Sequence, residues 1–129
     1  MKIEDFAYVV ETNKSFDEAV VSVLKAVEEK GWSIFQVYDI KERLEAKGFS
    51  QEKLKIIEIC SGKYANNFLN KNKLISLCMP CKINVFEENE KIKIIGMKPT
   101  IISRFFPEVS QEEAEEVEKD IKEIIDNAK

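Results

Sequence analysis

The sequence SFDEAVVSVLKAVEEKG, residues 15–31, predicts a long amphipathic helix and thereby decides the fold class. Its apolar side chains recur at steps of three and four, which places them on one face of a helix. Ser15 and Glu18 have the spacing of a capping box, and Gly31 stands where a left-handed residue commonly ends a helix. A helix with one apolar stripe must bury it against another layer, so this stretch indicates a layered fold.

The remainder of the chain supplies a second long helix and several strands. Ser110 and Glu113 repeat the capping-box spacing, and an apolar stripe follows as far as residue 128. Short apolar runs predict five strands, the last two of which form a hairpin. Apolar residues on both faces of the second run predict a central strand. The predicted strands cover residues 6–11, 32–40, 54–60, 82–87 and 91–97, and residues 74–77 are expected to be extended.

These elements predict one α+β domain over residues 1–129. The two long helices would lie side by side on one face of a mixed sheet of about five strands, which gives a two-layer sandwich. A chain of 129 residues is long enough to bury a core of its own. Shorter helices are expected at residues 41–47, 63–70 and 99–106.

The composition argues against several classes of function. The chain is 44% hydrophobic and 34% charged, and it has no run of about 18 apolar residues that would predict a membrane span. Its net charge is −4, with 20 basic residues interleaved among 24 acidic ones, which argues against nucleic-acid binding. Because there is no histidine, neither a Ser-His-Asp triad nor a Cys-His pair can form. Glu4 and Asp5 interrupt the apolar stretch that a signal peptide needs, and an odd number of cysteines argues against a secreted disulfide framework. We therefore expect a cytoplasmic protein.

All three cysteines lie in residues 56–82, IIEICSGKYANNFLNKNKLISLCMPCK. Cys60 ends a predicted strand just before a helix, where the helix dipole would lower the pKa of its thiol. A buried cysteine that acts as a small apolar side chain fits the same pattern. Cys78 and Cys81 form a C-x-x-C pair, but a strand is predicted after it, whereas a helix follows the pair in thioredoxin-like proteins. Structural zinc needs four ligands, so the three cysteines would need Glu58 or a second copy.

Several local patterns extend over nearly the whole chain. They comprise a lead-in to the first helix, a glycine–aromatic step into a strand, an acidic residue and a cysteine before a short helix, and a proline–cysteine segment before a hairpin. The residues concerned are Thr12 and Phe16, Gly31-Trp32 with Asp39, Glu58 and Cys60 with Ala65, Leu77 with Pro80-Cys81, and Val85 with Glu87. Together they resemble the bacterial and archaeal domain-of-unknown-function family 302. That family commonly has Cys-Asn-Pro where this chain has Cys60-Ser61-Gly62, and Cys78 lies outside the family pattern.

The resemblance implies a compact α/β domain that is often dimeric and has no established activity. It singles out Cys60 and Cys81 rather than Cys78. We therefore expect a homodimer with a cleft lined by Cys60, Cys81 and Glu58, which binds a small molecule or reacts through a thiol. In the second case Cys60 is the nucleophile or electron donor, Cys81 or Cys78 is the resolving thiol, and Glu58 is a proton acceptor or an orienting carboxylate.

Two other functions fit the same residues. The protein could be a non-catalytic interaction module with structural cysteines, which binds a partner through residues 101–106 or an exposed sheet face. It could also carry a metal or cofactor on Cys78, Cys81 and Cys60 across a dimer. No sequence pattern identifies a cofactor. Because the sequence spacing identifies no pair of side chains that could act as catalytic acid and base, binding is favoured over catalysis.

Overall fold

The computed structural model describes residues 1–129 and consists of a five-stranded sheet with its long helices on one face. The predicted α+β two-layer sandwich is therefore confirmed. The strands are β1 (Ala7–Thr12), β2 (Ser33–Asp39), β3 (Leu54–Cys60), β4 (Cys81–Glu88) and β5 (Lys91–Met97). The helices are α1 (Ile3–Phe6), α2 (Phe16–Glu29), α3 (Ile40–Glu45), α4 (Gly62–Lys71), α5 (Thr100–Phe105) and α6 (Gln111–Ala128), and a 3-10 helix covers Lys73–Cys78.

The strand order is β1-β5-β4-β3-β2, and every neighbouring pair is antiparallel. The sheet is thus not mixed as expected, because β1 and β2, which α2 connects, lie at opposite edges and do not pair. For the same reason β2 is an edge strand rather than the expected central one. A bulge between Ile34 and Gln36 leaves Phe35 59% exposed.

The two long helices begin where the sequence predicts. Ser15 Oγ accepts a hydrogen bond from the Glu18 backbone N–H at 3.2 Å, although only this half of the first capping box forms. At α6 both halves form between Ser110 and Glu113. Gly31 follows α2 with φ of +82°, a left-handed conformation that a side chain would strain.

One segment differs in type from its prediction. Residues 74–77 form part of the 3-10 helix instead of an extended run. The side-chain oxygen of Asn72 accepts a hydrogen bond from the Leu74 backbone N–H at 2.9 Å, and such local bonds compete with strand pairing. Ile75 is fully buried while Leu74 and Leu77 are exposed, so the segment turns only one side chain inward.

The core lies between the sheet and the pair of long helices, which pack on the same sheet face and against each other. Neither these nor the shorter helices combine the length and the apolar character that crossing a membrane requires. The core side chains from the strands are Ile57, Ile59, Ile83, Val85, Ile92 and Ile94, and those from α2 and α6 include Phe16, Val20, Val23, Val27, Val117, Ile121, Ile124 and Ile125.

Gly96 allows α6 to approach β5 closely. A Cβ atom on Gly96 would lie 2.9 Å from Ile125 Cδ1 and 3.2 Å from Ile121 Cγ2. We therefore expect Gly96→Ala to overpack this contact and to lower the free energy of unfolding by about 1–2 kcal/mol, measured by denaturant titration. Gly62→Ala is the control, because its Cβ would meet no atom within 4 Å. Wild-type stability in Gly96→Ala would contradict the close packing of α6 on β5.

Candidate functional site

An apolar cavity of about 250 Å³ lies where β3 ends and β4 begins. Its walls come from those strand ends, from β2, α4 and the segment before β4, and from α5 and α6. All three cysteines line it. The other lining residues are Trp32, Phe35, Ile59, Ser61, Tyr64, Ala65, Phe68, Leu69, Met79, Pro80, Pro99, Ile102 and Val117.

A larger groove of about 590 Å³ lies between α5 and α6, but its ten lining residues are all polar or charged. Within it Lys122 pairs with Glu118 at 3.2 Å, and Thr100 Oγ1 donates to the same carboxylate at 2.7 Å. Most of its charged groups thus already have partners within the chain; Lys119 is the exception. The smaller apolar cavity is therefore the stronger candidate for a functional site.

Strand pairing and a short helical turn place all three cysteines along the wall of one cavity. Ile59 pairs with Cys81 in the register of β3 and β4, so Cys60 lies one residue beyond that pair. Cys78 ends the 3-10 helix, three residues before Cys81 on the same wall. Sequence-distant thiols therefore line one cavity, with α4 packed beside them.

Polar contacts between side chains hold α4 against α6. Lys71 Nζ donates to Glu113 Oε1 at 2.5 Å, and Asn67 Nδ2 donates to the same oxygen at 3.2 Å. The hydrogen bond from Lys71 is the main reason why the pKa of Glu113 falls to about 2. These contacts fix the helix that forms one side of the cavity.

Glu58, contrary to expectation, is absent from the lining. The residues on either side of it, Ile57 and Ile59, are fully buried toward the helices, so strand alternation turns Glu58 to the opposite sheet face. There its Oε1 accepts a hydrogen bond from Tyr38 Oη at 2.7 Å, which raises the pKa of Tyr38. No carboxylate lines the cavity, and none is positioned there to accept a proton from a thiol.

The aromatic residues of the cavity direct their polar atoms away from it. Trp32 Nε1 donates to Asp120 Oδ2 on α6 at 3.0 Å, and Tyr64 Oη donates to Glu116 Oε1 at 3.3 Å. The two rings lie 6.1 Å apart between centroids. With their polar atoms already bonded to α6, the rings contribute carbon surface to the cavity.

Burial favours the neutral form of two of the thiols, those of Cys81 and Cys60. Burial is the main cause that raises the pKa of Cys81 to about 11, and the adjacent Cys60 and Cys78 add to the effect. Burial likewise raises the pKa of the Cys60 thiol. Both shifts disfavour the thiolate, which is the nucleophilic and metal-binding form. Although α4 begins just after Cys60, the pKa of its thiol moves opposite to that of an activated thiol.

The sequence analysis also suggested a metal site on the cysteines and an interaction surface at residues 101–106. All three cysteines are free thiols, and no three Cys, Asp or Glu side chains of the chain come together as a metal site. Among the apolar residues of 101–106, Ile101 and Ile102 are buried and only Phe105 is strongly exposed. That segment closes the core rather than presenting a continuous apolar patch.

Comparison with known proteins agrees with this architecture. Residues 8–128 match the family described as Domain of unknown function DUF302. The chain belongs to the DUF302 family. The crystal structure of an uncharacterized conserved DUF302 protein from Bacillus stearothermophilus is 26% identical, covers 96% of this chain and 98% of that chain, and has a TM-score of 0.88. No curated protein matches the chain. The resemblance noted in the sequence is thus confirmed, and the DUF302 fold extends over nearly the whole molecule.

Several lining residues of this DUF302 cavity escape sequence reasoning. The short helix predicted at residues 63–70 supplies Tyr64, Ala65, Phe68 and Leu69, but Trp32, Pro99, Ile102 and Val117 come from three distant parts of the chain. Only Trp32 carried a signal, as the sole tryptophan directly after a helix-ending glycine. The others look like ordinary core or loop residues until the fold assembles them.

Proposed function

We propose that this protein is a binding module that takes one small, neutral, apolar molecule into its cavity of about 250 Å³. The observation that carries the proposal is the lining of carbon and sulfur, in which the polar atoms of Trp32 and Tyr64 are already bonded elsewhere. Ligand sites are typically concave and mostly apolar. Because an apolar cavity of about 150 Å³ can bind benzene, this one would suit a somewhat larger ring or a short branched chain.

The same features favour binding over thiol catalysis. A cysteine nucleophile needs a lowered pKa or an adjacent base, whereas burial raises the pKa of both Cys60 and Cys81. The chain has no histidine, and Glu58 lies on the opposite sheet face. The thiols then serve as small, polarisable wall groups that contact a ligand without reacting with it.

The size of the ligand limits its affinity. A molecule that buries about 200 Å² of apolar surface gains about 5 kcal/mol, which corresponds to a dissociation constant of roughly 0.2 mM. A binding assay must therefore reach millimolar ligand concentrations.

The single tryptophan provides a direct assay. Trp32 lines the cavity, and a heavy-atom aromatic such as bromobenzene quenches tryptophan fluorescence on contact. We expect saturable quenching by bromobenzene in wild-type protein. Ala65→Leu should fill the cavity and abolish the saturable phase, whereas Asn66→Leu, on the exposed neighbouring position of α4, should retain it.

Thermal stability gives a second readout that does not depend on tryptophan fluorescence. A ligand that binds only the folded protein raises its melting temperature, and a concentration of ten times the dissociation constant adds about 1.4 kcal/mol of stability. Bromobenzene should therefore stabilise wild type and Asn66→Leu but not Ala65→Leu. Quenching that rises linearly and equally in all three proteins, with no thermal stabilisation, would rule the proposal out.

A further inference from the structure

The 3-10 helix over Lys73–Cys78 turns two leucine side chains into solvent. Such a helix has about three residues per turn, so residues three apart lie on the same face. Ile75 and Cys78 share the inner face, where Ile75 is fully buried and Cys78 lines the cavity. Leu74 and Leu77 share the outer face and are 63% and 84% exposed. The fold thus leaves an apolar face in water beside the cavity.

The sequence around these leucines carries only positive charge. Residues 59–86 contain four of the chain's 20 basic residues and none of its 24 acidic ones, although the net charge of the chain is −4. Lys71 is paired with Glu113 on α6. The other three lysines form no ion pair within the chain, and they are Lys63, Lys73 and Lys82. This segment is therefore a basic region of an acidic protein.

One stripe of α4 is exposed and contains no carboxylate. The stripe that faces α6 makes the hydrogen bonds and the ion pair to its glutamates. The next stripe consists of Lys63, Asn66 and Asn70, which are spaced by three and four residues and are all exposed. Lys73 lies just beyond the helix, where its Nζ donates to the Leu69 carbonyl at 3.0 Å. We call these exposed residues the lysine–leucine surface, which comprises Lys63, Asn66, Asn70, Lys73, Leu74 and Leu77.

We propose that the lysine–leucine surface docks on a lipid bilayer that contains anionic lipid. Amphipathic segments bind such bilayers by placing apolar side chains between headgroups and acyl chains, while their lysines contact the lipid phosphates. Leu74 and Leu77 supply the apolar contact, and Lys63 and Lys73 supply the charged one. This mode of binding needs no membrane-spanning helix.

The charges favour a membrane over a second copy of the chain. Two copies of the same surface would bring unpaired lysines together, and like charges repel. An anionic bilayer neutralises the lysines and accepts the leucine side chains at the same time. Cys78, which lines the cavity, directly follows Leu77. Docking thus brings the cavity close to the hydrocarbon in which an apolar ligand accumulates, and only this consequence rests on the proposed function.

The small number of contacts predicts weak, reversible binding. Removing one leucine from water contributes at least about a factor of ten to the binding constant, and one lysine near an anionic surface contributes about a factor of five. The contribution of the lysines should be lost at high salt, because exposed charges are then screened. Binding should therefore depend on both the lipid charge and the ionic strength.

Vesicle flotation with the full chain tests the proposal. Wild type should float with vesicles of phosphatidylglycerol and phosphatidylcholine in equal parts, but only weakly with phosphatidylcholine alone or in about 0.5 M sodium chloride. The double variant Leu74→Ser, Leu77→Ser should lower the binding constant at least about tenfold. The matched control is Val9→Ser, Val21→Ser, because these valines are 50% and 48% exposed on other elements.

The lysines have a matched control of their own. The double variant Lys63→Gln, Lys73→Gln should lower the binding constant roughly twentyfold, because both charges leave the docking surface. The double variant Lys25→Gln, Lys47→Gln removes the same charge from exposed positions elsewhere and should retain most of the binding. The comparison separates a local contact from a general effect of net charge.

Binding that falls in the leucine and lysine variants but not in their controls would support the proposal. Three results would overturn it: wild type that fails to float with the mixed vesicles at low salt, equal binding to the neutral vesicles, or equal losses in the control variants. Saturable bromobenzene quenching, measured without vesicles, should be the same in all of these proteins. A protein that keeps this quenching but does not float would refute membrane docking and leave the cavity proposal intact.

Discussion

At pH 7, iodoacetamide should alkylate Cys81 about 100-fold more slowly than an ordinary thiol with a pKa of 9. Only the thiolate reacts, and its fraction falls tenfold for each unit by which the pKa exceeds the pH. Because burial, with help from Cys60 and Cys78, raises the pKa of Cys81 to about 11, its thiolate is correspondingly scarce. The same shift implies that folding stability declines as pH rises from about 9 to about 11, because the unfolded thiol loses its proton first.

Peptide mass spectrometry can measure this rate on a Cys60→Ser, Cys78→Ser double variant, in which Cys81 is the only thiol. That variant also removes the two neighbouring thiols, so any remaining slowness reports burial itself, the main cause of the shift. The same protein in urea is the control and should react at the ordinary rate. The folded rate should continue to increase above pH 9. A rate that levels off near pH 9 would show an unshifted thiol, and one that levels off below about pH 7.5 would show an activated thiol and would favour the catalytic hypothesis.

Local patterns in the sequence predicted most of the helices and strands but not the position of each strand in the sheet. Ser15, Ser110 and Gly31 determine where the long helices begin and end through contacts within a few residues, so spacing alone reveals them. The edge position of β2 depends on which strands pair with it. Apolar residues on both faces of β2 suggested burial, yet a bulge turns Phe35 outward at the edge.

The candidate site was less predictable than the fold. The concentration of cysteines in residues 56–82 drew attention to the right region, because strand ends and chain reversals fall there. Glu58 was expected beside the thiols on the basis of its closeness in sequence. Strand alternation separates it from the cavity, while Ile102 and Val117 reach the cavity through long-range packing. The spacing of residues within a short stretch of sequence does not reveal contacts between distant parts of the chain.

Phe68→Ala should have the largest effect on stability, a loss of about 3–5 kcal/mol in the free energy of unfolding. Phe68 is 2% exposed, and it both belongs to the core and lines the cavity from α4. Removing its ring loses apolar burial and extends a space that is already apolar, so the surrounding side chains cannot easily fill the gap. Chemical denaturation at neutral pH measures the loss.

Leu77→Ala is the control for this substitution, because Leu77 is 84% exposed on the adjoining 3-10 helix and its truncation should change stability by less than about 0.5 kcal/mol. Bromobenzene should restore part of the lost stability in Phe68→Ala by occupying the enlarged cavity, as ligands of the folded state do. A loss below about 1 kcal/mol would mean that α4 closes on the vacated volume. The cavity would then depend on the mobility of α4 rather than on a rigid wall, and the size of its ligand could not be inferred from its volume.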